Sequence, residues 1–532
     1  MQLTRRELLA GGAAVITVQA FAGGAIAQEA MATTPLPGLV LQDATEDPAV
    51  RLEAIAGQHE FVRGVSSATL GFNQPYLGPV LRVRSGTTVQ AEILNSTDRT
   101  ISVHWHGLLI PGDVDGGPHQ PIAPGETWSP ALPIDQSRAF LWFHTHVHGE
   151  TAEAVYMGLA GILLVDDGED ATRGLPVNFG VDDLVLVVQD KRLDQTGRAA
   201  YDPTAGDKMH GFLGDTILVN GAIQPTATVP AGIAKLRLLN ASNGRNFDFF
   251  FSDRRPFHIV AAEQSLLPAP ISVERLRLAP GERTEVLVDF SNGTAVTLMS
   301  NPHDEGTGAG GMAHDMAMVP NEERFTGPFE VLAFQTAGDL PAAVTSIPAS
   351  FATQDEALPE PVTTRTVTLN DMGNLVAAPG GTLIETLQNA APADHTAHVM
   401  PGMASPAADP MAGMATPEAA SADPVFGING QPFDIGWIDY EVTAGTVERW
   451  IVGGEMMGHP FHIHGVRFRV VRDKGGEPRP ENRGWKDTVL VDGELELLVH
   501  FTDLAPASAP FMFHCHVLEH EDRGMMGQYT VA

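Results

Sequence analysis

The chain has 532 residues, 43% of them hydrophobic, so we expect two to four globular domains rather than one core or a disordered chain. A formal charge of −33 argues against nucleic acid as a partner, because phosphates would be repelled, and favours a surface that concentrates cations. The 55 glycines and 39 prolines predict short strands joined by many turns rather than long helices.

Residues 1–27 have the features of an export signal. Arg5 and Arg6 precede an apolar run rich in Ala and Gly, which ends in the small-residue pattern "AIA" before Gln28. The paired arginines resemble those of a twin-arginine signal, which exports folded proteins. No other apolar stretch is long enough to span a bilayer. The sequence therefore predicts a periplasmic protein that begins near Gln28 and is not stably inserted in the membrane.

The body of the chain has the pattern of β-strands. Alternating or β-branched residues between glycine turns predict strands within 79–95, 182–190 and 275–290. A weak internal repeat strengthens this interpretation: the similar runs "AEILN", "LRLLN" and "ERWIV" follow Gly86, Gly232 and Gly445. Units of roughly 150–170 residues fit three β-sandwich domains. We predict these domains at 36–175, 176–350 and 351–532.

Two segments interrupt the strand pattern. Residues 301–318 form a Gly-rich stretch with three methionines. Residues 395–424 are rich in Ala and Pro and show neither a strand nor a helix period, which predicts a flexible insertion. The insertion carries Met400, Met403, Met411 and Met414, whose thioether sulfurs are ligands for soft metal ions. A linker with incidental methionines is the alternative.

Histidines occur in four His-x-His pairs, each in a strand-like setting. Residues i and i+2 of a strand point to the same face, so each pair presents two imidazoles together. One such pair is often incidental, but four in one chain indicate metal binding. Two pairs fall in the first predicted domain and two in the third: His104/His106, His144/His146, His462/His464 and His514/His516. We expect a cluster of several metal ions at the interface of these domains.

Cys515 is the only cysteine and lies between two of these histidines. If His514 and His516 face the cluster, Cys515 must point to the opposite face of the strand, where it can join His459 and His520. Two histidines and a thiolate with a weak axial methionine are the ligands of a blue-copper site. The axial candidate is Met525, with Met526 as the alternative. Structural zinc sites normally take four strong ligands and would leave this methionine without a role.

Four sequence stretches carry a family resemblance. In order and spacing, "HWHG", "WFHTHVHG", "HPFHIHG" and "HCHVLEHEDRGMM" resemble the copper-binding motifs of three-domain multicopper oxidases, and the resemblance covers nearly the whole mature chain. It implies an all-β fold of three cupredoxin-like Greek-key β-sandwich domains with four copper ions. It implies type 1 copper at His459, Cys515, His520 and Met525, type 2 copper at His104 and His462, and a type 3 pair at His106, His144, His146, His464, His514 and His516.

The same resemblance implies a reaction. Four one-electron oxidations at the blue copper would be coupled to reduction of O₂ to two waters at the cluster, with Cys515 and its neighbours as the electron route. Asp115 and Glu521 match the acidic positions that the family uses for proton supply. His119 and His148 lie close to the motifs but outside the ligand pattern, and we interpret them as structural.

The reductant is not fixed by the family. The stretches "GEMMGHPFHIHG", "GWKDTV" and "LEHEDRGMM" resemble periplasmic cuprous oxidases of copper homeostasis, which implies that Glu455 and Met457 bind substrate Cu(I). The other substrate ligands of that subgroup do not align cleanly near 367–373, where Asp371 and Met372 are possible replacements. Laccase-like oxidation of phenols or aromatic amines is therefore the alternative.

A different class is a copper-free relative of the same fold that acts as a scaffold or in cell division. Such relatives lose the copper ligands, whereas this chain has all of them. The expected partners are thus O₂ and a small reductant, and we expect a monomer.

Overall fold

The computed structural model describes residues 34–304, 325–340, 342–352, 357–371 and 425–532. The predicted export signal, residues 305–318, Met372 and the segment 395–424 lie outside these ranges. Strands dominate the described residues, and none of the helices among them is both long and apolar enough for a membrane span.

Nine strands of the first part of the chain form two sheets. The strands are β1 Leu41–Ala44, β2 Ala49–Val62, β3 Val65–Phe72, β4 Val80–Arg84, β5 Thr87–Asn95, β6 Thr127–Trp128, β7 Ala131–Ile134, β8 Ala139–His144 and β9 Ala160–Asp166. One sheet has the order β1-β4-β9-β8, and the other has the order β3-β2-β5-β6 with β7 paired to β5. Apolar side chains of both sheets, such as Leu52 and Leu163, pack into one core.

Thirteen strands of the middle part form a second pair of sheets. The strands are β10 Asp183–Leu193, β11 Ala199–Ala200, β12 Thr216–Val219, β13 Ala222–Ile223, β14 Thr226–Pro230, β15 Ile233–Asn240, β16 Phe247–Phe251, β17 Phe257–Ala261, β18 Leu266–Val273, β19 Leu276–Leu278, β20 Arg283–Asp289, β21 Val296–Asn301 and β22 Phe329–Ala337. Their orders are β13-β12-β10-β15-β20-β17-β18, with β11 on β10, and β14-β22-β21-β16-β19.

In the described residues of the last part, ten strands form the third pair of sheets. The strands are β23 Thr363–Asn370, β24 Gly427–Ile428, β25 Tyr440–Val442, β26 Val447–Gly454, β27 His459–Ile463, β28 Val466–Asp473, β29 Thr488–Val491, β30 Leu495–Phe501, β31 Phe511–Cys515 and β32 Met526–Val531. Their orders are β24-β23-β26-β30-β28 and β25-β32-β31-β27-β29. The alternation in β30 is typical: every second residue of "LELLVHF" is buried in the core.

The internal repeat reappears in the strand pairing. The runs that follow Gly86, Gly232 and Gly445 belong to β5, β15 and β26. Each of these strands pairs in parallel with an earlier strand of its own sandwich, namely β2, β10 and β23. The all-β fold of three sandwiches confirms the prediction. The predicted boundaries near 175 and 350 fall between β9 and β10 and between β22 and β23, and their limits stay a prediction.

Among the described residues, three short helices lie at connections: α1 Thr151–Met157, α2 Ala205–His210 and α3 Leu518–Glu521. Single turns of 3₁₀ helix cover Gly112–Val114 and Pro480–Asn482. Asp522, just after α3, accepts hydrogen bonds from the backbone N–H groups of Thr151 and Ala152 at 2.9 Å. This carboxylate satisfies free donors at the start of α1 and links the last domain to the first.

Candidate metal centres

The four His-x-His pairs, predicted in strand-like settings, lie where strands end in three cases and at an isolated bridge in the fourth. His144 ends β8, His464 follows β27, His516 follows β31, and His104 makes only an isolated bridge to His144. Within each pair the ring centroids are 4.9–5.9 Å apart. In a regular strand, side chains two residues apart stand about 7 Å apart. Leaving the strand lets each pair turn its rings towards a common centre.

One strand pairing within the third domain and one bridge within the first bring the histidines of each domain together. The register of β27 and β31 sets His462 opposite His514, and the isolated bridge sets His104 opposite His144. Across the interface, the Nε2 atoms of His104 and His462 are 3.3 Å apart, and those of His146 and His514 are 3.2 Å apart. All eight imidazoles are buried at this interface.

The eight histidines divide into groups whose nitrogens lie within 4.8 Å of one another. Each group of three can hold one metal ion: His104 with His462 and His464, His106 with His144 and His516, and His146 with His464 and His514. His464 is shared by two groups. The division of these histidines between a type 2 copper and a type 3 pair stays a prediction.

Hydrogen bonds fix which nitrogen of most rings carries the proton. The Nδ1–H groups of His104, His144, His462 and His514 donate to backbone carbonyls, and that of His464 donates to Asp115 Oδ2, at 2.8–3.2 Å. A carbonyl or carboxylate can only accept, so Nε2 of these rings keeps its lone pair. His106 is reversed: its Nε2–H donates to Asp487 Oδ1 at 3.0 Å and leaves Nδ1 free. The free lone pairs are therefore available to a metal ion.

The chemistry of this donor set fits a bound metal. Burial lowers the pKa of seven of the eight imidazoles, so these rings are neutral near pH 7. Lone pairs on neighbouring rings then face each other at about hydrogen-bond distance without a proton between them. Both nitrogens of buried His516 lack a hydrogen-bond partner among the described residues. Cations between the rings would resolve this repulsion and use the unsatisfied nitrogens.

A second donor group lies on the other side of the strand. Cys515 Sγ is 3.5 Å from His459 Nδ1 and 3.6 Å from His520 Nδ1, and all three residues are fully buried. Metal–nitrogen and metal–sulfur bonds of about 2.0 and 2.3 Å separate their two ligand atoms by about 3.6 Å, so the spacing fits one shared ion. Burial raises the pKa of the Cys515 thiol, so the sulfur needs a metal ion to become a thiolate.

The backbone places Met525 beside this group. Its N–H donates to His520 O, and its carbonyl accepts from the Cys515 N–H, both at 3.0 Å. The Met525 side chain is fully buried in the core that contains Cys515, whereas Met526 pairs with His514 in β32. This favours Met525 over Met526 as the axial ligand, which stays a prediction.

The Nε2 atoms of His520 and His459, which point away from Cys515, also have polar neighbours. His520 Nε2 donates to the Met209 carbonyl of the middle domain at 3.0 Å. His459 Nε2 lies 3.4 Å from Asp371 Oδ1. Burial opposes protonation of His459, but the Asp371 carboxylate and Cys515 raise its pKa to about 10. Asp371 therefore lies next to the candidate copper ligand His459, on the side of the ring away from Cys515.

Two acids lie against the histidine cluster. Asp115 Oδ2 accepts from His464, and its Oδ1 has no hydrogen-bond partner among the described residues. The Glu521 oxygens lie 3.4 Å from His146 Nδ1 and 3.3 Å from His514 Nδ1. Burial, followed by the charge of Asp522, raises the pKa of Glu521 well above its usual range, so it keeps its proton near pH 7.

Other predicted residues lie outside the donor groups. His119 contacts Gln528 Oε1 at 2.9 Å, and His148 packs against Phe433, which agrees with structural roles. Glu455 is half-buried and accepts from Asn370 Nδ2 at 2.9 Å. Met457 is buried two residues before His459.

Sequence reasoning missed a buried charged network beside the cluster. Asp487 contacts His106, and Arg283 of the middle domain contacts Asp487 through both carboxylate oxygens, at 2.6 and 2.7 Å. Glu263 accepts from the backbone N–H groups of Asp487 and Thr488. Asp487 lies in "GWKDTV", a stretch that carries the resemblance to the cuprous oxidase subgroup, and Arg283 has no motif around it. Neither residue could be connected to the histidines without the fold.

Comparisons with known proteins agree with the all-β fold. Models of the multicopper oxidase family match residues 54–170, 187–310 and 404–532. The cell division protein FtsP of Escherichia coli (strain K12) is 35% identical over 545 residues, which cover 100% of this chain and 99% of FtsP.

Solved structures include similar oxidases. The laccase-like multicopper oxidase CueO from the lignin-degrading bacterium Ochrobactrum sp. is 38% identical with a TM-score of 0.78, and the match covers 94% of this chain and 100% of CueO. A Campylobacter jejuni multicopper oxidase, described as a metallo-oxidase, is 25% identical with a TM-score of 0.74, over 94% of this chain and 95% of its own. These matches identify the three sandwiches as cupredoxin-like domains, and the chain belongs to the multicopper oxidase family.

Proposed function

We propose that this protein is a copper-dependent oxidase that reduces O₂ to water with electrons from a small reductant. The observation that carries this proposal is the pair of buried donor groups on the two sides of β31. In the proposed assignment, His459, Cys515, His520 and Met525 hold type 1 copper, and His104 and His462 hold type 2 copper. The type 3 pair is assigned to His106, His144, His146, His464, His514 and His516.

The protein part of the mechanism begins at Cys515. The four bound coppers would supply one-electron oxidation at the type 1 site and reduction of O₂ at the cluster. Cys515 belongs to one site, and its neighbours His514 and His516 belong to the other, so one backbone segment joins the sites covalently. The His514 Nδ1–H group also donates to the Cys515 carbonyl at 2.9 Å. This contact gives the electron a second short route between the two sites.

Protons for water formation come from the two acids beside the cluster. Glu521 holds a proton near pH 7 because it is buried, and it lies within 3.4 Å of two histidine rings. It is our proposed proton donor. Asp115 lies beside another ring of the cluster and orients His464 through a hydrogen bond of 2.8 Å. Its second oxygen can accept a proton or a water molecule.

The proposed reductant is Cu(I), in a role in copper tolerance outside the cytoplasm. Met457 offers a thioether two residues before His459, and Glu455 offers a carboxylate beside it. Asp371 connects this stretch to the type 1 group, because its Oδ2 accepts from the Met456 N–H at 3.0 Å while Oδ1 lies near His459. An electron from Cu(I) bound there would have a short path to His459.

Two alternatives come from the relatives. CueO of Ochrobactrum is described as having oxidase activity towards lignin model compounds and lignosulfonate, which supports phenols as reductants. The relatives named FtsP suggest a role in cell division, and these cover the chain over its full length. Copper binding separates the last role from the first two, because a scaffold needs no donor groups.

The test is copper analysis followed by turnover. Copper-loaded protein should be blue and contain four coppers per chain. A colourless protein with less than one copper per chain would overturn the proposal.

A deletion of 395–424 and the variant Met457→Leu then address the reductant. Both should slow Cu(I) oxidation more than phenol oxidation, and Met299→Leu, in a strand of the middle domain, is the control. Faster oxidation of phenols with unchanged oxidation of Cu(I) in both variants would favour the laccase-like alternative.

A further inference from the structure

The middle domain contributes none of the proposed copper ligands, yet it reaches the histidine cluster through Arg283. This residue begins β20 and is fully buried. Its Nη1 and Nη2 donate to Oδ1 and Oδ2 of Asp487 at 2.6 and 2.7 Å, and its Nε donates to the Phe140 carbonyl at 3.1 Å. A planar guanidinium bound at both carboxylate oxygens fixes the orientation of the carboxylate as well as its charge.

Other groups of the middle domain hold Asp487 from further directions. Gln264 Nε2 donates to Asp487 Oδ2 at 2.9 Å, and Glu263 accepts from the Asp487 N–H at 2.7 Å. The space around the carboxylate is closed: a Cβ atom on Gly107 would lie 2.4 Å from Asp487 Oδ2. Gly107 also has a φ of 85°, so the glycine of "HWHG" is required by both backbone and packing. Asp487 therefore has one accessible position.

From this position, Asp487 holds two histidines that belong to different all-histidine groups, and with both of them it forms a further candidate donor group. Its Oδ1 accepts the Nε2–H of His106 at 3.0 Å, and its backbone carbonyl accepts the Nδ1–H of His462 at 2.9 Å. The two rings stack with centroids 3.6 Å apart and an interplanar angle of 11°. Asp487 thus determines that His106 presents Nδ1, and His462 presents Nε2, to the metal sites.

Arg283 also supports a third ring of the cluster. Its Nη1 donates to the Gly281 carbonyl at 3.2 Å. Gly281, with a φ of 82°, lies directly against His516, since a Cβ atom there would be 2.9 Å from the ring. His106 and His516 are two of the three members of one donor group. Arg283 therefore contacts both Asp487, which bonds His106, and Gly281, which packs against His516.

We propose that Arg283 is the positioning residue through which the middle domain sets the geometry of the copper cluster. This assignment rests on the proposed function. It predicts that loss of the bidentate contact weakens copper binding at the cluster and not at the type 1 site. The type 1 histidines His459 and His520 are contacted by Asp371 and Met209, and not by Arg283 or Asp487.

The test uses Arg283→Lys, which keeps the positive charge and removes the two-pronged contact. Copper-loaded protein is titrated with a copper chelator, while copper per chain is measured by mass spectrometry and blue absorbance is recorded. Loss of a residue behind a metal ligand weakens metal binding by about 10- to 100-fold. We expect the cluster coppers to leave at chelator concentrations lower by this factor, with the blue absorbance per chain retained.

The matched control is Arg237→Lys. Arg237 is another buried arginine of the middle domain, with bidentate bonds to Asp183 at 2.8 and 3.0 Å, and within the described part of the chain it does not contact the histidines. It should lose comparable thermal stability and keep the wild-type chelator midpoint. Asp487→Asn is measured in the same way, so the test stands if Arg283→Lys does not fold, and it should lose cluster copper.

The outcomes separate the two proposals. Wild-type protein with four coppers, together with an Arg283→Lys midpoint equal to that of Arg237→Lys, overturns the role of Arg283 and leaves the proposed function intact. Equal loss of blue and cluster copper also overturns it, because the effect would then be general destabilisation. Wild-type protein that binds no copper overturns the proposed function and this assignment with it.

Discussion

Replacement of Glu521 by Gln should slow oxygen reduction while leaving the copper sites assembled. The two side chains have nearly the same shape, and Glu521 is not a proposed ligand, so copper content and blue colour should not change. Gln cannot supply the proton that buried Glu521 carries near pH 7. Removal of a general acid typically costs 10²- to 10⁴-fold in rate. Asp115 also lies against the cluster, beside His464, and offers a second carboxyl group for proton transfer.

We therefore take the lower end and expect kcat to fall about 10²-fold, which corresponds to about 2.7 kcal/mol in activation free energy. The assay is oxygen consumption with saturating reductant, together with the rate at which the blue colour is bleached without oxygen. Bleaching should be unchanged, because it involves only the type 1 site.

The matched control is Glu519→Gln in the same helix. Glu519 is also buried, and burial also raises its pKa, but its oxygens accept from Asn243, Tyr201 and the Phe212 N–H rather than facing the histidines. It should keep kcat within about threefold, since a change that touches no reacting group alters only positioning. Full activity in Glu521→Gln with four coppers bound would refute the proton-donor role, and equal losses in both variants would attribute the effect to the helix.

Further predictions concern the thiol and a buried lysine. Cys515→Ser should abolish the blue absorbance and lower the copper content from four to three per chain, measured by visible spectroscopy and metal analysis; a blue variant would contradict the type 1 assignment. Burial lowers the pKa of Lys191 to about 7, beside Asp190, Tyr76 and Tyr156. The unfolded chain then binds more protons between pH 7 and 10.5, so this lysine costs on the order of 5 kcal/mol below pH 7 and less as the pH rises. Lys191→Met should raise the free energy of unfolding at pH 6 by a few kcal/mol and by little at pH 10, measured by urea denaturation; an equal gain at both would contradict this.

The histidine pattern was predictable because strand geometry and metal chemistry restrict it together. A spacing of two sets rings side by side, and a sequence separation of hundreds of residues between pairs implies an interface. The reasoning that His514 and His516 turn away from Cys515 needed only the alternation of a strand. The sulfur indeed faces His459 and His520, while the neighbouring rings face the cluster. The roles of these residues as ligands stay a prediction.

The supporting residues could not be predicted in the same way. Arg283 lies 204 positions before Asp487, and a salt bridge over this distance has no local period or spacing. Arg283 meets Asp487 because of the way the three sandwiches pack, and no single sequence motif encodes this packing. Asp371 was considered only as a replacement substrate ligand, whereas it lies 3.4 Å from His459 Nε2. Similarly, backbone hydrogen bonds determine where a strand ends. The pattern of side chains therefore could not show that the strands end at the His-x-His pairs.

The full-length similarity to FtsP and to laccase-like CueO raises the question of which relative indicates the function. Overall identity of 35% or 38% reports the fold, whereas chemistry depends on the site. A scaffold would gain nothing from eight buried imidazoles with opposed lone pairs, since apolar side chains of similar volume would fill the interface without unsatisfied nitrogens. Bound copper removes this cost, because each free lone pair then has a cation to coordinate. The buried histidines between the first and third domains therefore favour an oxidase over a scaffold, even though the chain is similar over its full length to proteins named for cell division.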